Sequence, residues 1–218
     1  MRIVLTLLIV ALPVMATAFT AVETDISQPY EIVPIEVSMP EQLSFLGTLN
    51  DYPVMYEIRS EEPFTFTAQL SQIANKEQQP FSMLLIRRND RGGGVTEIAR
   101  QPYVEEDWNR GRDSQIGMTF SNSKVLTQEV EPGIYRLEVS SPNNQGRYML
   151  TVGTEQAEVG YFEQLGYIKQ TQAYFGYGFF SMLKSSLVYY PIGILLLLGA
   201  FVQTARFARR RNQPTNAA

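Results

Sequence analysis

The sequence predicts an all-β sandwich held outside a membrane by one C-terminal helix, and three observations predict it. Short apolar-alternating runs recur between Glu41 and Gly153 at spacings of about ten residues, the signature of a sandwich or barrel. No charged residue occurs between Lys184 and Arg206, a stretch long enough to cross a bilayer once its flanks are included. The 218 residues include no His and no Cys, so the chain supplies no Ser-His-Asp triad, Cys nucleophile, His-bound metal or disulfide of its own.

The elements follow in order. Residues 1–18 begin with Arg2, continue with the apolar run Ile3 to Val14 and end at Ala16-Thr17-Ala18, the layout of a cleaved secretory signal peptide. Residues 19–36 carry Glu23, Asp25, Pro29, Glu31 and Pro34 among few large aliphatics, which suits a linker or edge strand. The β-sandwich occupies residues 37–153. In Phe64 to Leu70, Phe64, Phe66, Ala68 and Leu70 share one face. Tyr135, Leu137 and Val139 repeat the pattern against Arg136, Glu138 and Ser140, and Tyr148, Leu150 and Val152 repeat it against Arg147, Met149 and Thr151. Less regular runs at 43–49, 54–60, 81–86, 95–99, 116–120 and 125–130 bring the expectation to about nine strands. Glu62-Pro63, Glu131-Pro132-Gly133 and Pro142 to Gly146 stand between runs as turns.

Two strands carry a family likeness. Glu131-Pro132-Gly133-Ile134-Tyr135-Arg136-Leu137-Glu138-Val139, followed by Gly146-Arg147-Tyr148-Met149-Leu150-Thr151-Val152, resembles the paired strands of bacterial pre-peptidase C-terminal domains. The resemblance implies a jelly-roll-like β-sandwich. It also implies an accessory or binding role, since such domains accompany secreted proteases or bind matrix and sugars. These 218 residues are expected to hold no catalytic domain beside the sandwich.

Tyr103-Val104-Glu105-Glu106-Asp107-Trp108 is the densest acidic and aromatic cluster and holds the single Trp. It falls between strands, where binding residues concentrate. Glu105, Glu106 and Asp107 are candidate calcium ligands without the spacing of a calcium loop. Tyr103 and Trp108 are a candidate sugar-stacking platform, and the plainest alternative is a loop pinned to the sandwich by Trp108. Ser123-Lys124 lacks any sign of an oxyanion hole, so no catalytic residue, cofactor or metal site is expected.

Residues 154–180 form an aromatic juxtamembrane segment. On a helical wheel, Tyr161, Leu165, Ile168, Phe175, Phe179 and Leu183 fall within an arc of roughly 80°, which predicts an interfacial helix with these side chains in the bilayer surface. Residues 181–205 are the predicted transmembrane helix, with Pro191 near its outer end. Residues 206–218 carry Arg206, Arg209, Arg210 and Arg211 and no acidic residue, an asymmetry that holds a flank in the cytoplasm. Setting aside Arg2 and these four arginines leaves 13 of the 18 basic residues against 22 acidic ones outside. An acidic ectodomain argues against nucleic acid as a partner.

The absence of Cys, together with the lack of an Asn-x-Ser/Thr sequon in the exported part, points to a bacterial envelope. The expected protein is a non-catalytic, membrane-anchored extracytoplasmic interaction module whose partners are the lipid bilayer and an envelope protein or glycan. An accessory subunit of a larger membrane complex and a His-independent hydrolase are the alternatives.

Overall fold

Inward and outward residues alternate most regularly in Gly133–Ser140, where Tyr135, Leu137 and Val139 are buried while Arg136 and Glu138 stay half-exposed, as a strand with one covered face requires. The computed structural model describes residues 20–24, 28–29, 31–35, 42–74, 76–89, 93–155 and 159–211, with side chains to residue 207. The predicted signal peptide and the last residues of the basic tail lie outside the described part.

Twelve strands occur among the described residues: β1 Thr20–Thr24, β2 Ile32–Ile35, β3 Leu43–Asn50, β4 Val54–Ser60, β5 Phe64–Ile73, β6 Ser82–Arg88, β7 Val95–Gln101, β8 Asn109–Asp113, β9 Met118–Asn122, β10 Leu126–Val130, β11 Gly133–Ser140 and β12 Gln145–Val152. One sheet has the order β1-β3-β12-β5-β9-β8, with β10 also paired to β5; the second is β2-β4-β11-β6-β7. The pairs β1·β3 and β2·β4 are parallel and the rest antiparallel. The orders β3-β12-β5-β10 and β4-β11-β6-β7 interleave as in a double Greek key, a jelly-roll-like sandwich. Within residues 19–36 lie two short strands, β1 and β2, each at the edge of a sheet.

The core between the sheets is aromatic and aliphatic. Tyr56, Phe66, Leu70, Leu85, Leu137, Tyr148 and Leu150 are at most 1 % exposed. Tyr56 and Tyr148 place their hydroxyls 3.0 Å apart inside it, because a buried phenol needs a hydrogen-bond partner.

The first sheet also carries apolar side chains on its outer face. Phe45 and Leu46 in β3, and Tyr148, Met149 and Leu150 in β12, are buried in succession, which happens only in strands covered on both sides. The cover is α1 (Tyr161–Tyr174). Ile168, Phe175 and Leu187 close a second core over Leu46, Ile73, Ile116, Met118, Phe120 and Met149. The stripe of α1 facing the sheet is Gln164, Ile168, Thr171 and Gln172, the i, i+4, i+7, i+8 spacing of one helix face.

The helix stops at Tyr174. Gly176 takes φ +85°, Tyr177 N–H bonds to Gln172 O at 2.8 Å and Gly176 N–H to Ala173 O at 2.9 Å, the reciprocal pair of a Schellman cap. A 3₁₀ turn, Phe179–Lys184, follows, and then α2, Ser186–Arg211. The stretch long and apolar enough to cross a membrane is Ser186–Phe207, of which 6 % is buried. It starts five residues later than the predicted 181–205.

Candidate functional site

The acidic-aromatic loop is built around Trp108. Glu105–Asp107 make one 3₁₀ turn, which ends as Trp108 packs against the core between the sheets. Tyr103 stacks beside it, ring centroids 5.8 Å apart and planes tilted by 41°, and donates its hydroxyl to Gln78 Oε1 at 3.3 Å. Burial pushes the Tyr103 phenol up, with the charges of Glu105 and Glu106 adding to the shift. The two rings brace the loop, and Trp108 spends one side on the core. Glu105 and Glu106 are exposed and Asp107 is half-exposed. Among the described residues no group of three acidic side chains is arranged to hold a metal ion. Ser123 is 4 % exposed; its hydroxyl accepts from Leu70 N–H at 3.0 Å and donates to Lys124 O at 2.9 Å, so it ties two strands together.

A feature the sequence did not reveal lies on the outer face of the first sheet, beside the part covered by α1. A groove of about 340 Å³ is lined by Ser44, Gln69, Ser71, Asn122, Thr151 and Arg112, among others. Ser44, Gln69, Ser71, Asn122 and Thr151 take outward positions of β3, β5, β9 and β12 and β8 closes the edge, so the groove exists only once the sheet is assembled. Gln69 is fixed by donating to Ser123 O at 2.8 Å, and the hydroxyls of Ser44 and Thr151 are 3.3 Å apart. Amides and hydroxyls, with Arg112 and Asp113 at one edge and Ile116, Phe120 and Met149 beside them, make a surface able to donate and accept hydrogen bonds.

On the opposite face of the sandwich, Glu57 is 8 % exposed and receives Arg59 at 2.8 Å, Arg136 at 3.1 Å and Arg88 at 3.6 Å. Burial alone pushes its carboxyl up, but hydrogen bonds from Arg59 and Arg136, reinforced by their charges, outweigh it and leave the group below its ordinary value of 4.5. Because the folded pKa is depressed, the stabilisation is fully present above the unfolded value and disappears as pH falls through the folded one. Glu57→Gln is therefore expected to melt below wild type at neutral pH, and the two melting curves to converge in acid. Parallel pH profiles of the two proteins would contradict this.

The junction between sandwich and apolar helix is tied at several points. Ser186 N–H donates to Ser114 O at 2.8 Å, Arg112 Nη2 to Lys184 O at 3.4 Å, and the buried Gln172 amide to both Ile116 O and Ser181 O while accepting from Ser181 Oγ. Gly117, at φ +75°, lies so close to the Lys184 carbonyl that a Cβ would come within 2.6 Å, so only glycine fits. Pro191 stands six residues into α2 and has no N–H, which deprives the carbonyl four residues earlier of its helical donor. That carbonyl, Leu187 O, instead accepts from Tyr161 Oη at 2.7 Å. Tyr161→Phe is expected to weaken the junction by about 1 to 3 kcal/mol, the cost of leaving a buried carbonyl unpaired. Limited proteolysis should then cut the segment 175–186 faster while the sandwich resists as before; unchanged cleavage would contradict the role.

The arc predicted to enter the membrane is divided by the structure. Ile168 and Phe175 are 0 and 3 % exposed inside the second core, and Leu165 packs against it. Tyr161 is committed to Leu187. Phe179 and Leu183 are the most open, at 73 and 54 %, with Tyr161 at 41 %; Phe179 and Leu183 lie beyond the Schellman cap, where the wheel no longer applies. Phe162 and Phe180, outside the arc, are 85 and 81 % exposed. Arg206 is exposed near the end of the apolar stretch, and Arg209, Arg210 and Arg211 continue the backbone of α2.

No protein-family model matches the chain, and no curated protein matches it. The solved structures to which the chain is similar include three bacterial proteins. The pre-peptidase C-terminal domain of collagenase from Bacillus anthracis shares 14 % identity over 59 % of this chain and 98 % of that one, with a TM-score of 0.35. The Yersinia pseudotuberculosis-derived mitogen shares 17 % over 56 % and 92 %, with 0.37. The periplasmic inhibitor of g-type lysozyme from Aeromonas hydrophila shares 12 % over 62 % and 98 %, with 0.36. These are likenesses of strand layout, and a pre-peptidase C-terminal domain, the type that the β11 and β12 motifs resemble, is one of them.

Proposed function

We propose that the chain is a single-pass protein of the bacterial envelope whose sandwich binds an envelope protein or glycan without chemical conversion, with the N-terminal part extracytoplasmic and the arginine tail in the cytoplasm. The observation that carries this reading is the polar groove on the first sheet, adjacent to a junction that ties the sandwich to the apolar helix. Its amides and hydroxyls suit the hydroxyls of a sugar or the backbone of a peptide. The depression of about 530 Å³ between β6, β7 and β11, lined by Tyr103, Arg100, Glu138 and three prolines, is the second surface of this kind. Four arginines directly after the span favour a cytoplasmic C-terminus.

A photo-crosslinking amino acid placed at Asn122 in living cells tests the site. It is expected to trap one discrete adduct that an equivalent label at Val125, 48 % exposed and outside the groove lining, does not trap. Adducts only from a label at Tyr103 would move the site to the second depression, and none from either would remove the binding reading.

A further inference from the structure

We infer that α1 lies flat between the sandwich and the bilayer, so that the first sheet faces the membrane and the second sheet faces away from it. The inference rests on the reading of α2 as a membrane span and adds an orientation to it. The stripe of α1 opposite its buried face consists of Phe162, Gly166, Lys169 and Ala173, all exposed, spaced by one helical turn. It pairs apolar and small residues with one cation. No acidic residue follows Glu163 anywhere in the chain, and Glu163, exposed beside Phe162, lies about 90° round the helix from the centre of this stripe.

Two anchor points bring this stripe to the membrane. At its start, Tyr161 touches Leu187 in the first turn of α2, placing neighbouring Phe162 at the level where the span begins. Further along, Gln172 is bonded to Ser181, so the turn Phe179–Lys184 runs beside the later part of α1. That turn exposes Phe179, Phe180 and Leu183 at 73, 81 and 54 % and adds Lys184. Were α1 standing upright, Phe162 would meet lipid while Phe179 and Phe180 would be lifted roughly 15 Å away, at about 1.5 Å per residue of helix. Two exposed aromatic pairs, Tyr161 with Phe162 and Phe179 with Phe180, then flank the start of the apolar helix. Laid flat, α1 seats both patches in the interfacial layer, where aromatic side chains and Lys are favoured.

The chain has no Cys, so single-Cys variants each carry one label. Full-length protein is reconstituted in phosphatidylcholine and phosphatidylglycerol vesicles with an environment-sensitive fluorophore at Phe162→Cys, Ala173→Cys, Phe180→Cys, Leu195→Cys or Val95→Cys. All five positions are exposed. A lipid carrying a quencher near its headgroup is expected to reduce emission at 162, 173 and 180 by about twofold or more, to leave 95 unaffected, and to act on 195 less than a deep-chain quencher does. Quenching at 162 and 195 with 173 and 180 behaving like 95 would mean an upright helix and overturn the inference. Quenching at 195 alone would assign the aromatic surface to a protein partner and overturn it as well. An unquenched 195 would remove the span and the orientation together.

Discussion

Gly47→Ala is expected to destabilise the sandwich by about 3 kcal/mol, at the upper end of what overpacking a core costs. Gly47 in β3 is paired with Tyr148 in β12, and the tyrosine ring lies across the glycine. A Cβ there would overlap Tyr148 Cζ and Oη. The ring has nowhere to retreat: it is fully buried, its hydroxyl is held by Tyr56, and Phe81 flanks it with ring centroids 5.5 Å apart. Burial pushes the Tyr56 phenol up to about 12 and that of Tyr148 well above its ordinary value, so this bond persists through the neutral range. Denaturant unfolding of the detergent-solubilised protein measures the loss. Adding Tyr148→Ala to Gly47→Ala should cost less than the two single substitutions summed, because it removes the ring that the new methyl strikes. A Gly47→Ala protein as stable as wild type would refute the packing argument.

Removing α1 should have the next largest effect. A chain of residues 20–153 loses Ile168 and Phe175, each contributing roughly 1.5 to 3 kcal/mol when fully buried, and uncovers Leu46, Met118, Phe120 and Met149. Compared with residues 20–178, it is expected to unfold at lower denaturant by an amount equivalent to about 3 to 6 kcal/mol. It should also bind a hydrophobic dye or self-associate, as exposed apolar sheet surfaces do. Equal midpoints and equal dye binding for the two chains would show that the second core contributes nothing.

The nine runs read from alternation are β3 to β7 and β9 to β12, because each turns apolar side chains toward one of the two cores. β8 was illegible: Asn109-Arg110-Gly111-Arg112-Asp113 has no apolar residue and is a strand only through its pairing with β9. The outward position of Met149 was the visible trace of a second core, and Leu46 and Phe120 share that face. The helix face was misread for a chemical reason. Its buried stripe holds Gln164, Thr171 and Gln172, and Gln172 is satisfied by specific backbone partners that hydropathy does not register. Prolonging the helical period through Gly176 then added Phe179 and Leu183 to an arc they do not share. The loop at 103–108 was legible as a cluster, while its packing on the core depended on the fold. The groove was beyond reach, since its residues meet only across five strands.

Under the topology proposed above, the order of strands constrains how the chain emerges from an export channel. In the first sheet β12 lies between β3 and β5, and in the second β11 lies between β4 and β6. The central strand of each sheet is thus among the last to be delivered: the second sheet cannot close until residue 140 has crossed, nor the first until residue 152. Pairing β3 with β12 joins residues about a hundred positions apart, as in Leu49 with Gly146, and such distant pairings are slow to form. Until then β3, β4, β5 and β6 each lack one partner, and their edges stay open to aggregation or to a chaperone. The aromatic segment and the span arrive only after the final strand, so the sandwich completes itself while already being drawn against the membrane.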